Sequence, residues 1–316
     1  MKLKFVILGT SQFDIYSANA ILDSGHQVLA IISMPNKSRP NNSANIEQYA
    51  KKKCIPYHEF LDINSPNSIK ILKQLEPDYI FTSWPKVICK EVLNVPNNFS
   101  IGTHPTALPF NRGRHPLHWV VDLGISETKL SFFKMDEGVD TGNIILQCPF
   151  QIDEGDEIED VNSKMNLVVY DGITILCQKL ISEPNYSGKK QKHKLANYWR
   201  MRTHHDVTID LRMPADSIIK MVRSFALPYP CANLIFDNFF IKIKKVALAK
   251  TDKYLEDLNR IEPGSIISIE SKKITVKAGD VIIELFSIDP LPKVMTLAKY
   301  IHPPSKYIMQ NDIKFD

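Results

Sequence analysis

Two short loops carry the residues best suited to moving a proton. Residues 101–119 read IGTHPTALPFNRGRHPLHW, with three histidines and two arginines in a proline-rich stretch. His104 follows an apolar run and therefore sits just past a strand, while Pro105, Pro109 and Gly113 stiffen and turn the chain behind it. Asp140 lies in a second, glycine-flanked loop, MDEGVDTG. A carboxylate beside an imidazole fixes its tautomer and raises its basicity, so the two make an acid/base pair if the loops meet. His115 and His118 stand about one helical turn apart, but no third ligand follows at a telling spacing. They read as residues of a packed helix rather than as metal ligands, and no metal site is expected.

For the loops to meet, both must lie at one edge of a sheet. KLKFVILGT is a short apolar run ending at Gly9, as in a buried parallel strand; QFDIYSANAILDSG has helical spacing, and HQVLAIISM is a second buried strand. This strand–helix–strand start predicts a doubly wound, mostly parallel α/β sheet, whose binding crevice lies beyond the carboxyl ends of its strands. Further strands are expected at IPYHEF, DYIFTSW and NFSIGTHP. A hairpin is expected over KLSFFKMDEGVDTGNIILQCPFQI, and a long amphipathic helix over VNSKMNLVVYDGITILCQKLIS. The boundaries drawn are a catalytic domain over 1–185, a polar, lysine-rich linker over 186–195, and a smaller β-rich, barrel-like domain over 196–316.

Composition narrows the function classes. With 39 basic and 35 acidic residues the net charge is +4, too small an excess to argue for nucleic acid by itself and equally suited to an anionic small substrate. The five cysteines are dispersed with no CxxC pair, the pattern of reduced thiols in a cytoplasmic protein. No run approaches the roughly 18 apolar residues of a membrane span, and no small-residue cleavage site follows the first apolar run.

The two loops also carry a resemblance. His104, Thr106 to Pro109, Arg112, Gly113 and Pro116, followed by Asp136, Gly138, Asp140, Thr141 and Gly142, resemble the paired motifs of the formyltransferases that use 10-formyltetrahydrofolate. Within that family RGRHPLHW and SWPKVI look most like the sugar-nucleotide N-formyltransferases. The start of the C-terminal region is similar to a domain of the sugar and tRNA enzymes. The resemblance implies that His104 and Asp140 are catalytic. It implies a folate pocket lined by Trp84, Lys86, Val87 and Ile88 and by Asp136, Gly138 and Val139, with plain core as the alternative for Trp84. It implies acceptor binding by Thr10 and Ser11 of GTSQF and by Arg112, Gly113 and Arg114. For Arg112 a phosphate or glutamate-tail partner and a structural role on loop carbonyls stand level.

One position departs from the pattern. The family carries a catalytic Asn two residues before the histidine, and this chain has Gly102. Losing one preorganised oxyanion donor typically lowers a rate by about 10²–10³. The candidate substitutes are the hydroxyls of Thr103 and Thr106, the Gly102 N–H and a bound water. The leading expectation is transfer of a formyl group from 10-formyltetrahydrofolate to a nucleotide-linked amino sugar, by a soluble enzyme with no membrane partner that forms a homodimer. tRNA is not the expected partner, and a methionyl-tRNA formyltransferase is the runner-up. A folate- or nucleotide-binding protein that lost catalysis with its Asn is the alternative of another class.

Overall fold

The computed structural model describes residues 2–40, 43–250 and 258–306. Two units emerge. The first combines the chain up to Pro116 with Glu127–Ile152 and Asn162–Arg200; the second combines Leu117–Ser126, Asp153–Val161 and the chain from Met201 onward.

The first unit is built on a seven-stranded sheet. In chain order it contributes β1 (Lys4–Leu8), α1 (Gln12–Asp23), β2 (Gln27–Ser33), α2 (Ile46–Lys52), β3 (Tyr57–Glu59), α3 (Pro66–Leu75), β4 (Tyr79–Thr82), α4 (Lys90–Leu93), β5 (Phe99–His104) and β6 (Arg112–Gly113). Helix α5 (Pro116–Asp122), hairpin strands β7 (Glu127–Lys134) and β8 (Ile144–Gln151), helix α6 (Ile158–Ser182) and β9 (Tyr198–Trp199) follow; α5 and α6 each run across the division between the units. Strand order is β3-β2-β1-β4-β5-β7-β8, parallel from β3 to β5 and antiparallel thereafter. The β1 run KFVIL is buried at four of its five residues, the continuous apolar pattern of a strand covered on both faces. Ser65 caps α3 by accepting the Ser68 N–H at 3.3 Å, and Pro66 occupies the first turn, where its missing N–H has no helical partner to lose. Chain order reverses between β1 and β4, which makes their carboxyl ends the switch point of the sheet.

The second unit carries α7 (Ala215–Ser224) and a five-stranded antiparallel sheet of β10 (Ala232–Phe236), β11 (Phe239–Leu248), β12 (Ile266–Glu270), β13 (Lys273–Lys277) and β14 (Ile282–Ser287), in the order β10-β11-β14-β13-β12. Ile218, Met221 and Val222 of α7 join Leu234, Ile243, Ile274, Val276, Ile283 and Leu285 in one buried cluster.

The boundary at 185 and the free linker over 186–195 are not what the structure contains. Lys189 bridges to Ile144, Gln191 is 6% exposed, and β9 pairs with β6, so the chain stays on the first unit as far as Arg200. The lysines of this stretch are exposed as expected, but the residue among them that matters is buried and makes polar contacts that composition does not reveal. The five cysteines are all free, and no helix of the described residues is long and apolar enough to cross a membrane.

Candidate active site

His104 ends β5, and its strand partners carry the surrounding loops. The residue is 4% exposed. Its Nε2 lies 2.7 Å from the carbonyl oxygen of Asn111; a carbonyl only accepts, so Nε2 carries the proton. Its Nδ1 faces Oδ2 of Asp140 at 3.5 Å, an ion-pair distance rather than a tight hydrogen bond. The structure thus brings together the two residues singled out from the sequence. Both ring nitrogens face oxygens that only accept, so the ring satisfies both at once only as an imidazolium. Of the two side chains the carboxylate is the more open, 16% exposed against 5%.

The loops are held by backbone geometry that few residues adopt. Asn111 and Asp140 both have left-handed φ, 60° and 53°, a region that Asn and Asp enter with less strain than most side chains. Oδ2 of Asp140 accepts the Gly113 N–H at 2.9 Å. Gly113 has φ 108°, and a Cβ there would stand 2.2 Å from the Trp199 carbonyl oxygen, so only glycine fits. The reason is the β6–β9 contact. Asn111 and Arg112 donate their N–H groups to the side chain and backbone of Asn197, and Arg114 donates to Trp199 O.

The remaining candidates divide. Arg112 is 1% exposed, and its guanidinium donates to Tyr198 Oη at 2.9 Å and Gln191 Oε1 at 2.7 Å and lies 3.1 Å from His193 Nδ1. Its described partners are thus side chains of the returning segment, neither the loop carbonyls nor the anion of the two readings. Arg114 is exposed, with one contact to Pro85 O at 3.3 Å. Trp84 and Ile88 are 9% and 8% exposed and belong to the buried cluster of Val6, Leu8 and Ile80, so Trp84 is core. Lys86 is exposed, and Val87 and Val139 are apolar side chains standing 82% and 56% in the open. Asp136 holds its own turn, accepting from Gly138 N at 3.1 Å and Thr141 Oγ1 at 2.5 Å. A Lys90–Glu137 ion pair of 2.6 Å joins this turn to the start of α4, so the two segments implied for the folate are neighbours.

The backbone amides of Thr10 and Ser11 turn toward Asp14. Their N–H groups donate to Oδ2 of Asp14 at 3.0 and 2.9 Å, the Ser11 hydroxyl adds a bond of 2.8 Å, and Ser83 Oγ donates to Oδ1 at 2.6 Å. Asp14 is fully buried; burial pushes its carboxyl upward, opposed by the bonds from Ser83, Ser11 and Thr10. Because Ser83 follows β4, this carboxylate ties the ends of β1 and β4 together. The pattern Ser11-x-x-Asp14 at a helix start carried that signal.

The Asn-for-Gly difference also has a structural face. A Cβ on Gly102 would meet Met135 Cγ and Phe133 Cζ, each at 2.9 Å, so the space is already filled. Thr106 does not substitute. It is 0% exposed, and its hydroxyl donates to Phe110 O at 2.8 Å. The Gly102 N–H faces a paired neighbour strand whichever way it points, and Thr103 projects from the opposite face of β5 to His104. Two cavities of about 570 and 720 Å³ lie elsewhere, one lined by Asp23, His26, Tyr170 and Cys177, the other along α3; neither touches His104 or Asp140. Among the described residues no cluster of three or more His, Cys, Asp or Glu forms a metal site.

Residues 1–173 match the formyl transferase family and residues 202–302 match the formyl transferase C-terminal domain. A methionyl-tRNA formyltransferase of Caldanaerobacter subterraneus subsp. tengcongensis is 27% identical over 295 residues, covering 90% of this chain and 92% of that protein. Among solved structures, the N-formyltransferase of Helicobacter canadensis in complex with folinic acid and dTDP-3-aminofucose aligns with TM-score 0.65 at 18% identity, over 90% of this chain and 99% of that one. HypX from Aquifex aeolicus aligns with TM-score 0.65 at 12% identity over 90% of this chain, which spans only 44% of HypX. Motif, fold and both matched regions agree that the chain belongs to the formyl transferase family.

Proposed function

We propose that this protein transfers the formyl group of 10-formyltetrahydrofolate to the primary amine of a nucleotide-linked amino sugar. The observation that carries the transfer chemistry is the approach of His104 Nδ1 to Asp140 Oδ2 at 3.5 Å at the carboxyl end of β5. The neutral amine attacks the formyl carbon, a tetrahedral oxyanion forms, and its collapse breaks the bond to the folate nitrogen. The amine loses one proton and the leaving nitrogen gains one. Asp140, the more open partner, relays that proton. His104, its Nε2–H anchored on Asn111, accepts it at Nδ1 and returns it, and the imidazolium is stabilised by the two oxygens it faces. No covalent enzyme intermediate and no metal takes part. The folate is received on the exposed surface of Val87 and Val139 beside Lys86.

Charge supports the choice of acceptor. Residues 201–316 contain 17 lysines and arginines against 14 acidic residues, a small excess for a domain that would have to grip a polyanion. A dTDP-linked amino sugar accompanies the Helicobacter canadensis structure. The second reading, methionyl-tRNA formylation, is favoured by the names of the sequence relatives. The two separate in one experiment. The protein is incubated with 10-formyltetrahydrofolate and either a panel of nucleotide-linked amino sugars or methionyl-tRNA, and formylated product is measured by mass spectrometry. Formylated sugar nucleotide is expected. Formylated methionyl-tRNA together with salt-sensitive tRNA binding establishes the second reading. Folate binding without product from any amine establishes a non-catalytic protein.

A further inference from the structure

Gln191 lies in the lysine-rich stretch GKKQKHK, yet it is 6% exposed and all its polar atoms point inward. Its Nε2 donates to the carbonyl oxygen of Asp140 at 2.9 Å and to that of Gly142 at 2.7 Å. Its Oε1 accepts from the guanidinium of Arg112 at 2.7 Å. One side chain therefore ties three points: both sides of the turn that carries Asp140, and the arginine whose neighbour, Gly113, donates its N–H to the Asp140 carboxylate. Arg112 is in turn fixed by Tyr198 and His193, from the same returning segment.

Asp140 needs such support. Its backbone is left-handed, a conformation that persists in a non-glycine residue when its surroundings over-determine it. Its carboxylate is 3.5 Å from His104, so a shift of one ångström either makes a true hydrogen bond or removes the interaction. Neither Asp136 nor Thr141, which close the turn on the other side, touches the backbone of Asp140 in any described hydrogen bond.

We propose that Gln191 is a positioning residue for the His104–Asp140 pair, bridging the Asp140 turn to Arg112 so that the carboxylate is presented to the imidazole. The inference rests on the roles assigned to His104 and Asp140 above, but its test does not depend on the substrate. Gln191→Glu is nearly isosteric. It keeps and strengthens the contact to Arg112 while placing an oxygen against the Asp140 and Gly142 carbonyls in place of the donor. Gln191→Ala removes both sides, and Lys190→Ala, an exposed neighbour, serves as control.

The first readout is the pair of ring-nitrogen chemical shifts of His104, measured by NMR on the full-length protein. In Gln191→Glu they move toward the values found in Asp140→Asn, and in Lys190→Ala they stay at the wild-type values. The second readout is turnover. Gln191→Glu lowers kcat on the order of 10²-fold with little change in KM for the folate donor, the signature of a misplaced reacting group. His104 shifts and kcat at wild-type values in both Gln191 variants overturn the proposal; if Gln191→Glu does not fold, Gln191→Ala decides it on the same readouts. A wild-type protein without turnover defeats the functional reading alone, because the His104 shifts still report whether Gln191 holds Asp140.

Discussion

Two carboxylates stand at the carboxyl edge of the same sheet and meet opposite fates. Asp14, after β1, is fully buried and receives four hydrogen bonds, two of them from backbone amides. Asp140, between β7 and β8, receives one backbone amide on Oδ2, faces a histidine at 3.5 Å and keeps part of its side chain open. Both sit where an α/β sheet usually meets its ligand. The comparison teaches that position alone does not make a site. At the β1–β4 switch point the carboxylate takes up the Thr10 and Ser11 amides and the hydroxyls of Ser11 and Ser83. Two strands along, the donors hold the backbone and leave the carboxylate to an imidazole. Saturated with partners, a carboxylate stabilises structure; undersaturated beside a base, it can exchange a proton.

The contrast breaks most sharply at the imidazole. His104→Ala is expected to lower kcat by about 10²–10⁴-fold, measured as formylated product at saturating donor. At Asp14 the effect goes to stability instead. Asp14→Ala, which strands the Thr10 and Ser11 amides and the Ser83 hydroxyl, is expected to cost about 1–3 kcal/mol in urea unfolding and to leave the kcat of the folded protein unchanged.

Gly102→Asn sharpens the account of the missing oxyanion donor. Because Met135 and Phe133 fill the space, the single change is expected to destabilise by about 1–3 kcal/mol without raising kcat. Pairing it with Met135→Ala should recover stability and allow the amide to act. A gain in kcat from Gly102→Asn alone would show that the space opens freely.

The smallest effect is one of pH. Burial raises the Asp14 carboxyl in the folded protein above its ordinary value of 3.8. Its stabilising contribution is therefore complete below that value and is lost as pH rises through the folded value. Asp14→Asn does not titrate. The stability of wild type relative to Asp14→Asn should fall as pH climbs from about 3 upward, followed by urea midpoints across a pH series; a flat difference would contradict the burial argument.

Much of this was legible in the sequence, and what was not has identifiable causes. The parallel sheet, the β7–β8 hairpin and α6 follow from apolar runs, alternation and helical spacing, all local signals. His104 and Asp140 stood out because glycine and proline frame the loops that carry them. Arg112 was ambiguous because its burial depends on Tyr198, Gln191 and His193, about 80 or more positions away. The two-residue strands β6 and β9 are too short to leave a period. Gln191 was hidden for a related reason: the lysines on either side are solvated, and the composition of the stretch speaks for them. Trp84 was ambiguous because a strand end next to a motif is an equally good place for a core side chain, and its burial comes from partners distant in sequence.

The central claim is that the open carboxylate and the histidine behind it handle the proton of formyl transfer. Asp140→Asn tests it most directly, since the amide keeps the size of the side chain and its acceptor for Gly113 while removing the charge that faces His104. Turnover of 10-formyltetrahydrofolate is measured for both proteins at matched folded concentration. The account predicts a loss of at least about 10²-fold in kcat with the unfolding midpoint little changed. An Asp140→Asn protein that turns over at the wild-type rate would contradict it.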